Sequence, residues 1–278
     1  MKPRPSLMPP AKKYCRPIAK PPRCAGLVLL MALLLFVPQV QAEVITLRAD
    51  AWCPYNCDPD SDKPGLIIDI ARAVFTPLGH TINYQTMPWS RTLHEVRKGH
   101  VTGAVGAVPS EAPDLIYGKN PVAWMDTGFA FNKGLNFHYQ GPQSLDPYKI
   151  ATIKDYHYDE GEVDAYLQSH AHNTQHIQAN TGDHAGLANL KKLLAGRVEL
   201  AIDSHAVLKY LIQQLHLSDK IDLATLGRPN GVYIGFSPAD KNSAKWAETL
   251  STGVETLRQK GELAAILARY GLTEQKAP

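Results

Sequence analysis

Leu93-His-Glu-Val-Arg-Lys-Gly99-His-Val-Thr-Gly-Ala-Val105 and, much later in the chain, Leu190-Lys-Lys-Leu-Leu-Ala-Gly196-Arg-Val-Glu-Leu-Ala-Ile202 are written to one plan. In each, an amphipathic helical segment is stopped by glycine, and a short apolar strand follows that ends near polar residues. Working outward from the first copy, Val44–Arg48 reads as a strand rich in β-branched residues. Pro64-Gly65 then opens a helix whose apolar residues Ile67, Ile70, Ala71, Val74, Phe75 and Leu78 form one stripe, ended by Gly79. Thr81–Met87 alternates as a strand, Ser90 is placed to cap a helix running to Lys98, and Val101–Val108 is a third strand. The order is β-α-β-α-β with short connections, which calls for a mostly parallel sheet covered by helices.

The same order surrounds the second copy: strand Tyr148–Ile153, helix Glu160–Ser169, strand His176–Ala179, helix Asp183–Leu194 and strand Val198–Ile202. Two copies make two similar lobes, not a solenoid. Thr127–Asn132 reads as a strand leaving the first lobe. A helix over Ser204–Leu215 and the strands Ile221–Leu226 and Val232–Phe236 follow the second copy. Phe129–Phe131 and Tyr233–Phe236 are the expected crossing strands of a two-stranded hinge. Helices over Ser243–Gln259 and Glu262–Tyr270 are expected to pack back on the first lobe. The domain reading is therefore a leader over 1–42, lobe one over 43–130, lobe two over 131–228 and a return to lobe one over 229–278.

The leader explains the bulk charge. Residues 1–42 carry seven of the 29 Lys+Arg, none of the 26 Asp+Glu, and an apolar run over Ala25–Val37 that ends before small residues at Val40 and Ala42. A basic start, a short apolar segment and small-residue cleavage positions make a secretory signal peptide, cut near Ala42. The apolar run is too short to span a bilayer comfortably. Without the leader the chain has 22 basic and 26 acidic side chains, a net charge of −4, so the overall +3 gives no support to a nucleic-acid partner. Two of the four cysteines remain, Cys53 and Cys57. In an oxidising compartment such a pair is most simply one disulfide.

Those cysteines sit in Ala51-Trp-Cys-Pro-Tyr-Asn-Cys57, directly after the first strand. One reading is a redox-active dithiol; the other is a braced, aromatic loop at the mouth of a ligand cleft. In open α/β sheets, ligands sit outside the carboxyl ends of the strands. Here those ends are 52–57, 88–91 and 107–111 in lobe one, and 154–158, 180–183 and 203–205 in lobe two. Rings, hydroxyls, an arginine and an acid converge there, the ingredients of a small-molecule site. The candidate ligand residues are Trp52, Tyr55, Trp89, Arg91, Ser110, Tyr158 and Asp203.

The whole secreted portion resembles the periplasmic solute-binding proteins of the polar amino acid uptake type, family 3. The resemblance is carried by Trp52-Cys-Pro-Tyr55 with Gly65-Leu-Ile-Ile-Asp69-Ile-Ala71, and by Pro88-Trp-Ser-Arg91 with His94 and Gly99. In the second half it is carried by Gly196–Asp203 and by the ending Leu257, Gly261-Glu-Leu, Ile266, Tyr270-Gly271. The Pro-Trp-Ser-Arg pattern is similar to a branch whose ligands are mostly unassigned. The resemblance implies an α/β two-lobe clamp of the type II periplasmic-binding-protein kind. Such a clamp is a monomer that closes on an amino acid or related polar solute and presents it to an inner-membrane ABC permease. In that family a Ser/Thr and a following Arg hold the ligand carboxylate, and an acid in lobe two holds its ammonium. Ser110 and Asp203 stand at the matching places. After Ser110, however, come Glu111-Ala-Pro-Asp114 and no arginine, so carboxylate capture falls to Arg91 or the ligand is not an ordinary α-amino acid.

Plainer roles compete for each residue. Trp52, Tyr55, Trp89 and Tyr158 suit a core, Arg91 a solvated helix turn, Ser110 a turn and Asp203 a helix cap. His170, His172 and His176 lie around a polar connection and read as a solvated cluster, with no metal or cofactor expected. Other function classes stay open. An enzyme on the same scaffold, such as a dehydratase, would draw its acid or base from Glu111, Asp203 or His205. A sensory ligand-binding role fits the same lobes. A thiol oxidoreductase at Cys53 and Cys57 is disfavoured by three intervening residues and the acidic run after Cys57.

Overall fold

The computed structural model describes residues 42–275 together with Lys12 and Lys13; the leader assigned to 1–42 otherwise lies outside the described residues. Among these, no helix is long and apolar enough to cross a membrane. Ten strands build two five-stranded sheets. The first has the order β2-β1-β3-β10-β4, from Val44–Ala49 (β1), Thr81–Thr86 (β2), Gly103–Ala107 (β3), Ala123–Met125 (β4) and Asn230–Phe236 (β10). The second has the order β7-β6-β8-β5-β9, from Thr127–Asn132 (β5), Ile150–Ile153 (β6), Ile177–Asn180 (β7), Leu200–Ser204 (β8) and Ile221–Thr225 (β9). The two sheets are wound alike. β1 pairs parallel with β2 and β3, and β6 pairs parallel with β7 and β8. In each sheet a single strand runs against the rest, β10 in the first and β5 in the second.

The paired sequence segments therefore do what their pattern says. Each is a helix that covers its sheet and then feeds a central strand. Helices α1 (Leu66–Phe75) and α2 (Trp89–Arg97) flank the first sheet. Helices α3 (Glu162–His170), α4 (Ala185–Leu194) and α5 (His205–Gln214) flank the second. The small residues of β3 serve both faces of its sheet: Val105 packs with β1 and α1, whereas Ala104 and Ala107 pack with Trp89, Leu93 and Val96 of α2. The strand Ala123–Met125 lies outside the sequence reading because three residues behind Pro121 carry too little period to register.

The crossings between sheets differ from the expectation. Phe129–Phe131 does not pair with Tyr233–Phe236; it lies in the middle of the second sheet, between β8 and β9. Five of the six β5 residues are buried, which suits a central strand and not an exposed connection. The chain crosses instead at Asp126, between β4 and β5, and over residues 226–229, between β9 and β10. The Asp126 carboxylate accepts the backbone N–H of Gly227 and of Arg228, each at 3.2 Å, and the hydroxyl of Thr225. One side chain thus ties the two crossings together.

After the second crossing the chain returns to the first sheet as β10. Helices α6 (Ser243–Gln259) and α7 (Glu262–Arg269) then close over α1. Trp246, Leu250 and Val254 pack with Ile67, Ile70, Val74 and Phe75 in one core, where each fully buried large side chain contributes roughly 1.5–3 kcal/mol. α1 and α6 meet tightly at Gly253. A Cβ there would lie 2.6 Å from Val74 Cγ2. Val74 is β-branched and cannot swing away without leaving its rotamer. Gly253→Ala is therefore expected to cost about 1–3 kcal/mol, read as a melting-temperature loss of roughly 2–4 °C per kcal/mol. A calorimetric scan unchanged from that of the parent protein would show that the two helices separate freely.

Candidate functional site

The carboxyl ends of the two sheets face each other and are joined by hydrogen bonds from lobe to lobe. Trp52 Nε1 donates to Asp203 Oδ1 at 2.7 Å, and Tyr156 OH donates to Asp50 Oδ2 at 2.6 Å. The backbone N–H of Ala51 reaches the carbonyl of Asp183 at 2.9 Å. Farther out, Ser90 Oγ donates to Asp155, and the N–H of Ser110 to Glu160 Oε1 at 3.3 Å.

The loop after β1 is held from several sides. Cys53 and Cys57 lie at disulfide distance, with their Cα atoms 4.8 Å apart. Trp52 and Asn56 form a backbone bridge across the loop. Tyr55 stacks on Trp52 with ring centroids 4.4 Å apart and donates its hydroxyl to the Trp124 carbonyl at 3.0 Å. Gly65 presses against the same loop from α1. Its φ of 126° and a Cβ position 2.5 Å from the Tyr55 carbonyl leave room for glycine alone.

These contacts leave a small cavity of about 20 Å³, whose walls include Asp50, Trp52, Asn56, Trp89, Glu111 and Tyr156. Tyr156 meets Trp52 and Trp89 edge-on, at centroid distances of 6.4 and 6.0 Å. Asn56 gives its Nδ2 to the Asp50 carbonyl at 2.7 Å; its Oδ1 is buried with no partner among the described residues. Trp89 Nε1 donates to Glu111. Among the described residues lining the cavity, none is a lysine or an arginine; the basic side chain there is His157, whose Nδ1 lies 3.9 Å from Asp164.

A cleft of this kind, between two like-wound sheets, has relatives. The family model of the bacterial extracellular solute-binding proteins, family 3, matches residues 45–273. The chain belongs to that family. Solved structures agree on the fold of this family 3 protein. A histidine kinase sensor domain with similarity to periplasmic binding proteins aligns at a TM-score of 0.70 and 20% identity, covering 84% of this chain and 98% of that one. The EhuB protein in complex with hydroxyectoine aligns at 0.68 and 15%, covering 83% and 89%. The amino acid ABC transporter binding protein AbpA from Streptococcus pneumoniae, bound to L-arginine, aligns at 0.62 and 16%, covering 84% and 97%. No curated protein sequence gives a significant match.

Of the residues singled out in the sequence, the family 3 cleft gathers some and leaves others aside. Trp52 and Trp89 line the cavity, with Tyr55 directly behind Trp52. Arg91 is exposed in the first turn of α2 and lines no part of the cavity, so the substitute carboxylate clamp is not formed. Ser110 is exposed, and its backbone N–H is taken by Glu160. Tyr158 belongs to the core of the second lobe. Its oxygen accepts the Ile153 N–H at 2.7 Å, so the ring braces β6 and does not face the cavity. Asp203 does not line the cavity. Its Oδ1 holds the Trp52 indole and the Ser204 N–H, and its Oδ2 lies beside Gly186 of α4 without a partner among the described residues. Ser90 is not the helix cap, a place taken by Pro88, because its hydroxyl reaches Asp155.

Asp50 and Asn56, which line the cavity, are not among the candidates of the sequence reading, which ranks Tyr156 below Tyr158 in their shared loop and weighs Glu111 only as a catalytic acid. Asp50 has a signal that could have found it, as the first polar residue past an apolar strand end. Tyr156 has a weaker one: it and Tyr158 share a loop, and which of them faces the cleft depends on the turn at Asp155, whose φ is 62°. His205 lines a different groove, on the side of Tyr55 and Lys209, apart from Glu111. Among the described residues no group of three metal-binding side chains is assembled; His170 and His176 pack around Tyr166 instead.

The cleft carboxyls carry perturbed acidities, in each case chiefly because burial disfavours the charged form. Asp50 is pushed up to about 7, opposed by the Tyr156 hydrogen bond and reinforced by the charges of Asp203 and Asp183. Asp203 is raised to about 6, opposed by the Trp52 and Ser204 donors. Glu111 is raised well above the usual carboxylate range, opposed by Trp89. A buried carboxyl without a cation either gathers donors or keeps its proton.

The sign of the pH effect follows. Between the ordinary value near 3.8 and the folded values near 6 and 7, the folded protein holds protons that the unfolded chain has released. The stability these groups contribute is fully present below that window and is lost as pH rises through it. The melting temperature without added solute is therefore expected to fall from pH 5 to pH 8. Asp50→Asn, which keeps an acceptor for Tyr156, should flatten the slope. A parallel profile for that variant would place the titration elsewhere.

Proposed function

We propose that this family 3 protein captures a small polar solute between its lobes and hands it to an ABC-type importer outside the cytoplasmic membrane. The single observation that carries the reading is the cavity at the facing strand ends, walled by both lobes and crossed by the Tyr156–Asp50 hydrogen bond. A site whose walls come from two bodies is completed only when they close, and closure is how such a protein distinguishes loaded from unloaded. The ligand residues under this reading are Trp52, Trp89 and Tyr156 as ring walls, with Asp50, Asn56 and Glu111 as polar groups. Tyr55 and Asp203 hold Trp52 in place. The loop braced at Cys53 and Cys57 fixes Trp52 before binding, which lowers the ordering cost of capture.

A second reading shares the capture step and differs in the partner. The likeness to a histidine kinase sensor domain favours a role in which the closed form reports the solute to a membrane receptor. Crosslinking in native membranes separates the two, by recovering either a permease or a kinase.

Native mass spectrometry of protein purified from its host should show a small molecule that is lost on denaturation. Removing and restoring it should change the radius of gyration in X-ray scattering. Tyr156→Phe deletes the phenol that bridges to Asp50 and is expected to weaken retention about tenfold or more, with far-UV circular dichroism unchanged. A particle of constant radius with no co-purifying molecule would overturn the capture reading.

A further inference from the structure

Behind the rim loop lies a larger space. A groove of about 480 Å³ runs between α5, which flanks the second sheet, and α7 with residues 270–275 on the side of the first. The cavity at the strand ends offers about 20 Å³. Tyr55 lines the groove and Trp52 the cavity, so one stacked pair of rings is the partition between them. One part of the groove wall is apolar, from Pro54, Leu66, Val122, Leu263, Leu267 and Leu272. The α5 wall is polar. His205, Lys209 and Gln213 recur along it at helical spacing, with Tyr210 beside them. A concave space of this volume, apolar with a few convergent polar groups, is the usual form of a small-molecule site.

The hydrogen bonds of the groove decide the charge of what fits it. Its two carboxylates are engaged: Asp126 accepts from the Thr225 hydroxyl and from the N–H groups of Gly227 and Arg228, and Glu274 is paired with Arg258 Nε at 2.6 Å. The donors of α5 are not. Among the described residues, the side chains of His205, Lys209, Tyr210 and Gln213 make no hydrogen bond and no ion pair. Burial holds the half-buried His205 imidazole below its ordinary value, opposed by Asp126 and aided by Lys209, so the ring is neutral at neutral pH and donates one N–H. Free donors beside engaged acids and leucine side chains complement an anion with a hydrocarbon body. We propose that this groove binds a small amphiphilic carboxylate of the size of a medium-chain fatty acid, its head on the α5 donors Lys209 and His205 and its body against Leu263, Leu267 and Leu272. The site stands apart from solute capture, since it shares no lining residue with the cavity. Its walls come from elements of both lobes, so an occupant braces α5 against α7.

Octanoate and octylamine make the deciding pair, since they share a carbon chain and differ in the sign of the head. Calorimetric titration of the purified protein is expected to show octanoate binding at least about tenfold more tightly than octylamine. Acetate, which has the head and almost no body to bury, should give no heat. Lys209→Glu reverses the charge on the α5 wall and should weaken octanoate about tenfold or more. Lys209→Arg keeps the charge and should hold the affinity within about threefold of the parent protein. Lys209 is exposed, so both variants are expected to fold, which cooperative melts check. No heat with octanoate, octylamine or acetate binding as tightly as octanoate, or an octanoate affinity untouched by Lys209→Glu would each overturn the assignment.

Discussion

The hydrogen bond from Tyr156 to the buried carboxyl of Asp50 is the contact on which the rest of the cleft depends. It joins a loop of one sheet to the first strand end of the other, and it does so without a counter-ion. Asp50 therefore lives between two costs: ionised, it is a buried charge; protonated, it gives up much of its pull on an incoming donor. Tyr156, positioned by that bond, is in turn the ring against which both Trp52 and Trp89 rest edge-on. Remove the bond and the aromatic wall loses its second lobe.

The loop between Trp52 and Cys57 shows how a short segment is made rigid by several weak means. For so short a closed loop the chain-entropy gain of a disulfide is only about 2 kcal/mol. Stacking with Tyr55, the press of Gly65, the backbone bridge between Trp52 and Asn56 and the bond from Asn56 to the Asp50 carbonyl act on the same few residues. Their common result is the direction of one indole, whose N–H then serves Asp203 across the cleft. Cys53 and Cys57 lie within this braced loop, their Cα atoms 4.8 Å apart.

The fold was legible because its two halves repeat a strong pattern: amphipathic helix, glycine, apolar strand. That pattern is local, and local period is what a sequence displays best. The first crossing was misplaced because Phe129–Phe131 advertises only that it is apolar; whether it crosses or sits mid-sheet is decided by its partners β8 and β9. The site was half legible. Trp52 and Trp89 stand at strand ends, and the structure places both in the cavity wall. Asp203 lies behind Trp52 and not in the cavity wall, because its hydrogen bond to the indole runs between residues far apart in sequence. Tyr156 and Tyr158 are indistinguishable as letters in a loop, and only the turn at Asp155 sends one ring into the cleft and the other into the core.

One consequence lies in how the rim loop meets the crossings. Tyr55, pressed against Trp52, gives its hydroxyl to the carbonyl of Trp124, and Asp126, two residues on, gathers both chain crossings on its carboxylate. The Trp52 ring at the cleft and the crossings between the sheets are thus separated by one stacking contact, one hydrogen bond and two residues of chain. Under the proposed capture, a solute that tilts the indole would lean directly on those crossings. On that reading the angle between the lobes would report how well the cleft is filled.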